Sequence, residues 1–307
     1  MRRSLLVLTG VALCSLTAVR AADAQNRGRA ERRAAGAMRQ AMRGAPVTGA
    51  ETRLARGENV EFGMMTWPEV KAALAGGKTT ALFYTGGTEQ RGPQNVNGGH
   101  NLMGRSIVRE IARQLGDALA MPVLPFTPNN ASAELTGTIG LTPELLGAVL
   151  ERVVEQAIAT GFKNVVIMGD HGGGQPATYA DVAKKLDAKY AAQGIHVYYC
   201  DEVYTKATAD LDEWLKAQGL PTGGHASLID TSTMLYLGGS EWVRLEELPN
   251  AEGDPVLPRG QRPDPSTPRK NNGITGDGRK SSAEIGKKAF DLRVEYALRQ
   301  IRQPTGR

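Results

Sequence analysis

From Met64 onward, short runs of apolar residues alternate with longer amphipathic stretches. The short runs predict buried strands, and the stretches with an apolar residue at every third or fourth position predict helices. Strands that alternate with helices are typical of a parallel sheet covered on both faces, so we predict a three-layer α/β/α domain with a mostly parallel sheet. Residues 250–280, rich in Pro, Gly and Asn, predict a long loop. The predicted strands are Thr79–Tyr84, Ala120–Phe126, Asn164–Met168 and Ile195–Cys200, and the predicted helices are Asn101–Leu115, Leu145–Ala159, Ala177–Ala192 and Ser281–Arg302.

The first 58 residues lack this alternation. Residues 1–24 have the features of a secretory signal peptide, with two arginines, then the apolar stretch Ser4–Val19, and a small-residue cleavage site that ends at Ala24. That stretch is too short to span a bilayer, so we expect an exported protein, periplasmic or secreted, without a stable membrane anchor. Residues 25–58 are rich in Arg, Ala and Gly and predict a basic flexible arm, which leaves 59–307 as the folded domain.

Positive charge is concentrated in this N-terminal part. The chain has a net charge of +5, but residues 1–58 contain eleven arginines and four acidic residues, which leaves a net charge of −2 on the rest. A mildly acidic domain argues against binding of nucleic acid. The arm is either a solvated linker or a segment attracted to anionic surfaces or to a neighbouring subunit. Because Cys14 lies in the signal peptide, Cys200 has no partner for an internal disulfide.

Two glycine-rich loops carry most of the candidate chemistry. Open parallel sheets bind ligands beyond the carboxyl ends of their strands. The loop after the first predicted strand holds Glu89 and ends at His100, and the loop after the third holds His171; of the other histidines, His225 is also in a Gly-rich segment and His196 is in a predicted strand. A carboxylate and two imidazoles suit Zn²⁺, Mn²⁺ or Fe²⁺. Since no compact HxxxH or CxxC motif is present, spacing alone favours ordinary loop histidines slightly over a metal site.

Five segments together resemble the creatininase-type amidohydrolases. They match the family's motifs GSTEQHGPH, PGTISLxPE, NGHGG, HAGxxETS and GVxGDPxxAxAExG in order and in spacing, and the resemblance covers about Trp67–Lys288. Five collinear motifs are not expected by chance. The matching segments are Gly87–Pro93, Gly137–Glu144, Gly169–Gly173, His225–Ser232 and Gly273–Gly286.

The resemblance implies a creatininase-like domain in a homo-oligomer that hydrolyses a non-peptide or cyclic C–N amide bond of a small molecule. By position, Glu89 and His171 match metal ligands of the family. His100 replaces an Asp that bridges two metals, Arg91 replaces a histidine ligand, and Gly173 lacks the glutamate ligand of creatininase. Because guanidinium does not coordinate cations and imidazole is a poor bridge, we expect one divalent ion, Zn, Mn or Fe, on Glu89, His100 and His171.

The resemblance also implies roles for the residues around the ion. We assign to His225 proton transfer to the leaving nitrogen. Asp230 would orient His225 or enter the metal coordination. Arg91 would replace the charge of the missing cation, at an oxyanion or an anionic substrate group, or would form a structural salt bridge within its loop. Asp170 would support the metal ligands or cap the following helix.

Other functions were weighed against this hypothesis. A serine esterase would use His171–Gly174 as an oxyanion loop, but no G-x-S-x-G elbow follows. A dinucleotide-binding enzyme would need G-x-G-x-x-G, which neither loop contains. The main alternative is a non-catalytic binding or scaffold protein that retains the creatininase fold with a degraded metal centre.

Overall fold

A four-stranded parallel sheet forms the centre of the computed structural model, with the strands in the order β2-β1-β3-β4. The structure describes residues 59–257, 261 and 264–303. The predicted signal peptide and basic arm lie outside the described residues and stay predictions. The strands are β1 (Thr80–Thr85), β2 (Ala118–Ala120), β3 (Asn164–Gly169) and β4 (His196–Tyr199).

Helices cover both faces of this sheet, so the predicted three-layer α/β/α class is confirmed. Side chains of β1 alternate between the two faces: Leu82 and Tyr84 join one hydrophobic core with α2, α6 and α7, whereas Ala81 and Phe83 join a second core with α3 and α4. None of the described helices is both long and apolar enough to cross a membrane. The helices are α1 (Trp67–Ala75), α2 (Gly99–Leu115), α3 (Pro143–Thr160), α4 (Gln175–Tyr190), α5 (Thr205–Ala217), α6 (Leu228–Gly238) and α7 (Ala283–Arg302).

The register of the central strands places two predicted functional loops next to each other. β1 pairs with β3 along its full length, from Thr80 opposite Asn164 to Thr85 opposite Gly169. Both strands therefore end at the same edge of the sheet. The loops that carry Glu89 and His171 begin there, side by side, although the two residues lie 82 positions apart in the chain.

The predicted strand at Ala120–Phe126 is wrong in its bounds, because β2 covers only Ala118–Ala120. Pro122 and Pro125 have no N–H group to donate to a sheet and interrupt the regular pairing. The chain nevertheless continues beside β1, where Leu124 N–H donates to the Tyr84 carbonyl oxygen over 3.0 Å. Helices α1, α5 and α6 were not predicted, whereas the other predicted strands and helices are confirmed to within a few residues.

The last helix, α7, packs closely on α6. Gly286 allows this approach, since a side chain there would collide with the Ser232 carbonyl oxygen. Residues at every fourth position of α7 point into the protein. These buried positions are Ile285, Ala289, Arg293, Ala297 and Ile301. One position of an otherwise apolar row is thus an arginine, whose surroundings are described with the site.

Candidate metal centre and adjoining pocket

Glu89 lies at the centre of a cluster of polar side chains beyond the end of β1. Its carboxylate is 3% exposed. Oε1 lies 3.0 Å from Nε2 of His100, and Oε2 lies 3.0 Å from Nε2 of His171. Asn129 also donates to Oε2 from its side-chain amide over 2.7 Å. The three residues predicted as metal ligands are therefore brought together, with His100 in the first turn of α2 rather than in the preceding loop.

This approach of α2 depends on a glycine. A side chain at Gly86 would overlap Asn101, which follows His100 in the same helical turn. The side-chain oxygen of Asn101 accepts the N–H of Gly87 over 2.9 Å and so fixes the loop to the helix. The glycines of this loop thus have a structural purpose, which is to let the helix bring His100 against Glu89.

The donor atoms of Glu89, His100 and His171 have a separation that suits one metal ion. They all lie within 4.8 Å of one another. Neighbouring donors on a tetrahedral zinc with bonds of about 2.0–2.2 Å are about 3.3 Å apart, so both 3.0 Å contacts need only a small adjustment. Two nitrogens and one carboxylate are also donors that Zn²⁺, Mn²⁺ and Fe²⁺ accept. The residues therefore fit a single divalent ion.

Each imidazole is held by a second contact on its other nitrogen. Nδ1 of His100 lies 3.0 Å from Oδ1 of Asp170, the arrangement in which a carboxylate orients a histidine ligand. Nδ1 of His171 accepts the N–H of Gly173 over 3.1 Å. An ion on Nε2 of His171 requires the ring proton at Nδ1, so metal binding must break this hydrogen bond with Gly173.

Without an ion, the cluster holds a proton between its carboxylates. Burial and the charge of Arg91 act to lower the pKa of His100. Asp170 and Glu89 outweigh them and raise this pKa to about 9. Burial acts to raise the pKa of Asp170, but the charge of His100 lowers it to about 2. Burial acts likewise on Glu89, yet hydrogen bonds from His100 and His171 hold its pKa far below the ordinary value. His100 is therefore cationic at neutral pH until an ion displaces its proton.

Arg91 is fully buried and joins two carboxylates. Its Nη1 donates to Oε1 of Glu89 over 3.0 Å, and Nη2 lies 2.9 Å from Oδ2 of Asp230. These contacts favour the salt-bridge interpretation of Arg91, extended from its own loop to α6. Its catalytic assignment stays a prediction, and the side chain is not among those that line the adjoining cavity. The guanidinium therefore neutralises part of the negative charge beside Glu89.

His225 faces the same carboxylate from the opposite loop. Its Nε2–H donates to the Gln90 carbonyl oxygen over 2.8 Å, so Nδ1 is the unprotonated nitrogen, 3.6 Å from Oε1 of Glu89. Burial, followed by the charge of Arg91, lowers the pKa of His225. Asp230 does not hydrogen-bond to His225; it accepts the N–H of Ala226 over 2.9 Å and so holds the loop. The roles of both residues in catalysis stay predictions.

A cavity of about 190 Å³ opens beside this cluster. Its lining includes Glu89, His171, His225 and Asp230. It also includes Arg293 of α7, which was not predicted from the sequence. Its buried position within an apolar row is the signal that would have identified it. Further polar side chains of the lining, also missed, are Tyr204, Thr208 and Ser227.

The fold and this donor set define an α/β protein with a candidate site for one metal ion. Residues 63–301 match the family model of the creatinine amidohydrolases, also named creatininase. Because the match covers most of the chain, the protein belongs to the creatininase family. No curated protein sequence matches it significantly.

Solved structures give the same result for the fold. A creatinine amidohydrolase (creatininase) superposes with a TM-score of 0.68 at 21% identity, over 80% of this chain and 98% of that one. A manganese creatininase gives 0.65 at 20% identity over 80% and 98%. A putative creatinine amidohydrolase from Bacteroides fragilis gives 0.61 at 20% identity over 79% and 95%. At this identity the likeness establishes the shared fold.

Proposed function

We propose that this protein is a metal-dependent amidohydrolase that hydrolyses a non-peptide or cyclic C–N amide bond of a small molecule with one divalent ion. The observation that supports this most directly is the convergence of Glu89, His100 and His171 from three separate segments of the chain. Membership of the creatininase family supports amide hydrolysis as the reaction class. The small volume of the cavity supports a substrate of few atoms, because drug-sized ligands occupy about 300–1,000 Å³.

The proposed single ion differs from what a related structure contains. Among the solved creatininases, one is described as a Zn-Zn type and another as a manganese form. In this chain Arg91 lies against Glu89 and Asp230, and Gly173 supplies no ligand at the corresponding position. A second cation beside the Arg91 guanidinium would be repelled, which supports a site for one Zn, Mn or Fe ion.

In this proposal the chain positions groups for a water-mediated attack on an amide carbonyl. A bound divalent ion lowers the pKa of a coordinated water and polarises the carbonyl group. Nδ1 of His225 accepts a proton from the attacking water and passes it to the leaving nitrogen. The unprotonated state of Nδ1 suits the first step, because Nε2–H is fixed on the Gln90 carbonyl oxygen. Asp230 holds the backbone of this loop through Ala226.

The proposal also includes export of the protein, to the periplasm or the outside of the cell, and assembly into a homo-oligomer. The segment 1–24 supports export by its charge and apolar pattern. The family resemblance supports oligomerisation. A related mutant creatininase is described as complexed with creatine, which is the kind of small molecule that we expect here without specifying the substrate.

Metal analysis of purified protein tests the proposal. We expect about one equivalent of Zn, Mn or Fe to survive dialysis, and His171→Ala to lose it, because two donors rarely retain a catalytic ion. His196→Ala is the matched control, since this histidine lies in β4 and pairs with Asp187 at the surface. Absence of metal from the wild-type protein would support the non-catalytic scaffold instead. If the protein does bind metal, a screen of small amides decides whether it hydrolyses them.

A further inference from the structure

Arg293 is a buried cation without a close partner among the described residues. Its side chain is 5% exposed in the row of buried residues of α7. The nearest carboxylate oxygen, Oδ2 of Asp170, lies 3.9 Å from Nη1, which is too far for a hydrogen bond. Nη1 has no hydrogen-bond partner, although it is buried. Burial of an unpaired guanidinium is costly, so the position indicates a counter-ion that the chain itself does not supply.

Each neighbouring carboxylate has a closer partner than Arg293. Asp170 lies against His100, and both Glu89 and Asp230 lie against Arg91. Asp170 therefore pairs with Arg293 only at 3.9 Å, and no acidic side chain of the described residues accepts a hydrogen bond from Arg293. The guanidinium lines the same cavity as the candidate metal ligands and His225.

The charge balance of the site points in the same direction. Glu89, Asp170 and Asp230 contribute three negative charges, whereas Arg91 and Arg293 contribute two positive charges. One divalent ion then leaves the site with one excess positive charge. A singly charged anionic ligand would neutralise this excess.

We propose that Arg293 binds the carboxylate of the substrate, so that the substrate class is small amides that carry a carboxylate group. The inference rests on the proposed function for the amide bond and adds the group that the enzyme recognises. A carboxylate matches the fork of a guanidinium through two parallel N–H···O hydrogen bonds. Tyr204 and Thr208 lie in the wall of the same cavity and provide hydroxyl groups for further contacts. Arg91 does not serve this purpose, because both of its carboxylate partners come from the protein.

Binding of two matched probes tests the inference without any hydrolysis. N-acetylglycine carries a carboxylate, and N-acetylglycinamide replaces it with a neutral amide of the same shape. Calorimetric titration of the metal-free and zinc-loaded full-length protein should give a dissociation constant about ten- to a hundredfold lower for the acid. Arg293→Met should remove this preference in both forms. Arg293→Lys should retain part of it, because lysine keeps the charge but not the planar fork.

Arg299→Met is the matched control. This arginine lies on the same helix but is exposed and pairs with Glu202, so its loss should leave the preference unchanged. Circular dichroism verifies that each variant is folded. Because the comparison of the two probes in the wild-type protein needs no substitution, equal binding overturns the inference even if the Arg293→Met variant fails to fold, and Arg293→Lys then tests a preference that is found.

The outcomes separate this inference from the proposed function. Equal binding of the two probes to the wild-type protein, or a preference that survives Arg293→Met, overturns the assignment of Arg293. A preference that appears only with zinc and survives Arg293→Met shows that the metal binds the carboxylate, which leaves the hydrolase proposal intact. An Arg293-dependent preference in a protein that binds no Zn, Mn or Fe supports the anion site and overturns the metal-dependent hydrolase.

Discussion

Two buried arginines lie at the candidate site, and their surroundings differ. Arg91 has a carboxylate oxygen within 3.0 Å of each terminal nitrogen, from Glu89 and from Asp230. Arg293 has only Asp170, at 3.9 Å. The side chain of Arg91 is enclosed, whereas that of Arg293 lines the cavity. The same residue type therefore stabilises the fold in one case and remains available for a ligand in the other.

The difference separates a buried charge that the protein itself neutralises from one without a hydrogen-bonded partner. A cation next to Glu89 compensates the carboxylates of Glu89 and Asp230, which would otherwise repel each other. The guanidinium of Arg91 provides this positive charge permanently. Asp170, in contrast, contacts His100 and orients its imidazole for an ion that could exchange. Arg91 thus stabilises the fold, whereas Arg293 is available for ligand binding. Three experiments test this distinction.

The largest expected effect is on the free energy of unfolding. Arg91→Met should reduce it by about 3–5 kcal/mol, because Glu89 and Asp230 lose their buried partner. Arg293→Met should change it by no more than about 1 kcal/mol, since the removed charge makes no hydrogen bond with the described residues. Urea unfolding of the metal-free variants measures both values. Equal losses in the two variants would contradict the distinction between the arginines.

A smaller effect is expected for Asp170, which contacts His100. Asp170→Asn should weaken metal binding about ten- to a hundredfold, because the carboxylate that orients His100 is lost. Competition with a chromogenic chelator measures the affinity. Asp187→Asn is the control, since Asp187 pairs with His196 away from the cavity. An unchanged affinity would show that His100 does not depend on Asp170 for its orientation.

A further effect, of about tenfold per pH unit, is a dependence of metal affinity on pH. The pKa of His100 in the metal-free protein is about 9, and an ion on Nε2 must displace its proton. Apparent affinity should therefore rise about tenfold per pH unit from pH 7 towards 9 and level off above it. In the metal-free protein the same proton stabilises the fold fully below about pH 6.5, and this contribution is lost as the pH rises through about 9.

Calorimetry in buffers of different ionisation enthalpy counts the protons that metal binding releases. About one proton per ion is expected near pH 7.5. Release of none would mean that His100 is neutral in the metal-free protein or that it does not bind the ion.

Hydrophobic periodicity predicted the sheet and most of its helices because their buried faces repeat regularly. It failed at Ala120–Phe126, where apolar residues continue after β2 but two prolines prevent regular pairing. It also missed α6 (Leu228–Gly238), whose apolar residues and threonines give no clear amphipathic pattern. Such a helix can be recognised only in the folded structure, from the neighbouring elements that bury it.

The candidate ligands could be predicted because parallel strands end at a common edge, so residues that follow β1 and β3 meet. The contact of Arg91 with Asp230 could not be predicted, because Asp230 reaches it only through the packing of α6 against α2 and α7. Arg293 was missed although the sequence carries a signal. Its spacing of four residues from Ala289 and from Ala297 places a charged residue on an apolar helix face.

The distance in sequence between Glu89 and His171 links ion binding to the folding of the whole domain. These donors become neighbours only after β1 has paired with β3, so an unfolded chain offers no comparable site. An ion that binds only the native state adds about 2.7 kcal/mol to its stability when the free ion is at a hundred times its dissociation constant. A chelator would then weaken the entire fold, and the supply of metal in the surrounding medium would set how long the protein survives there.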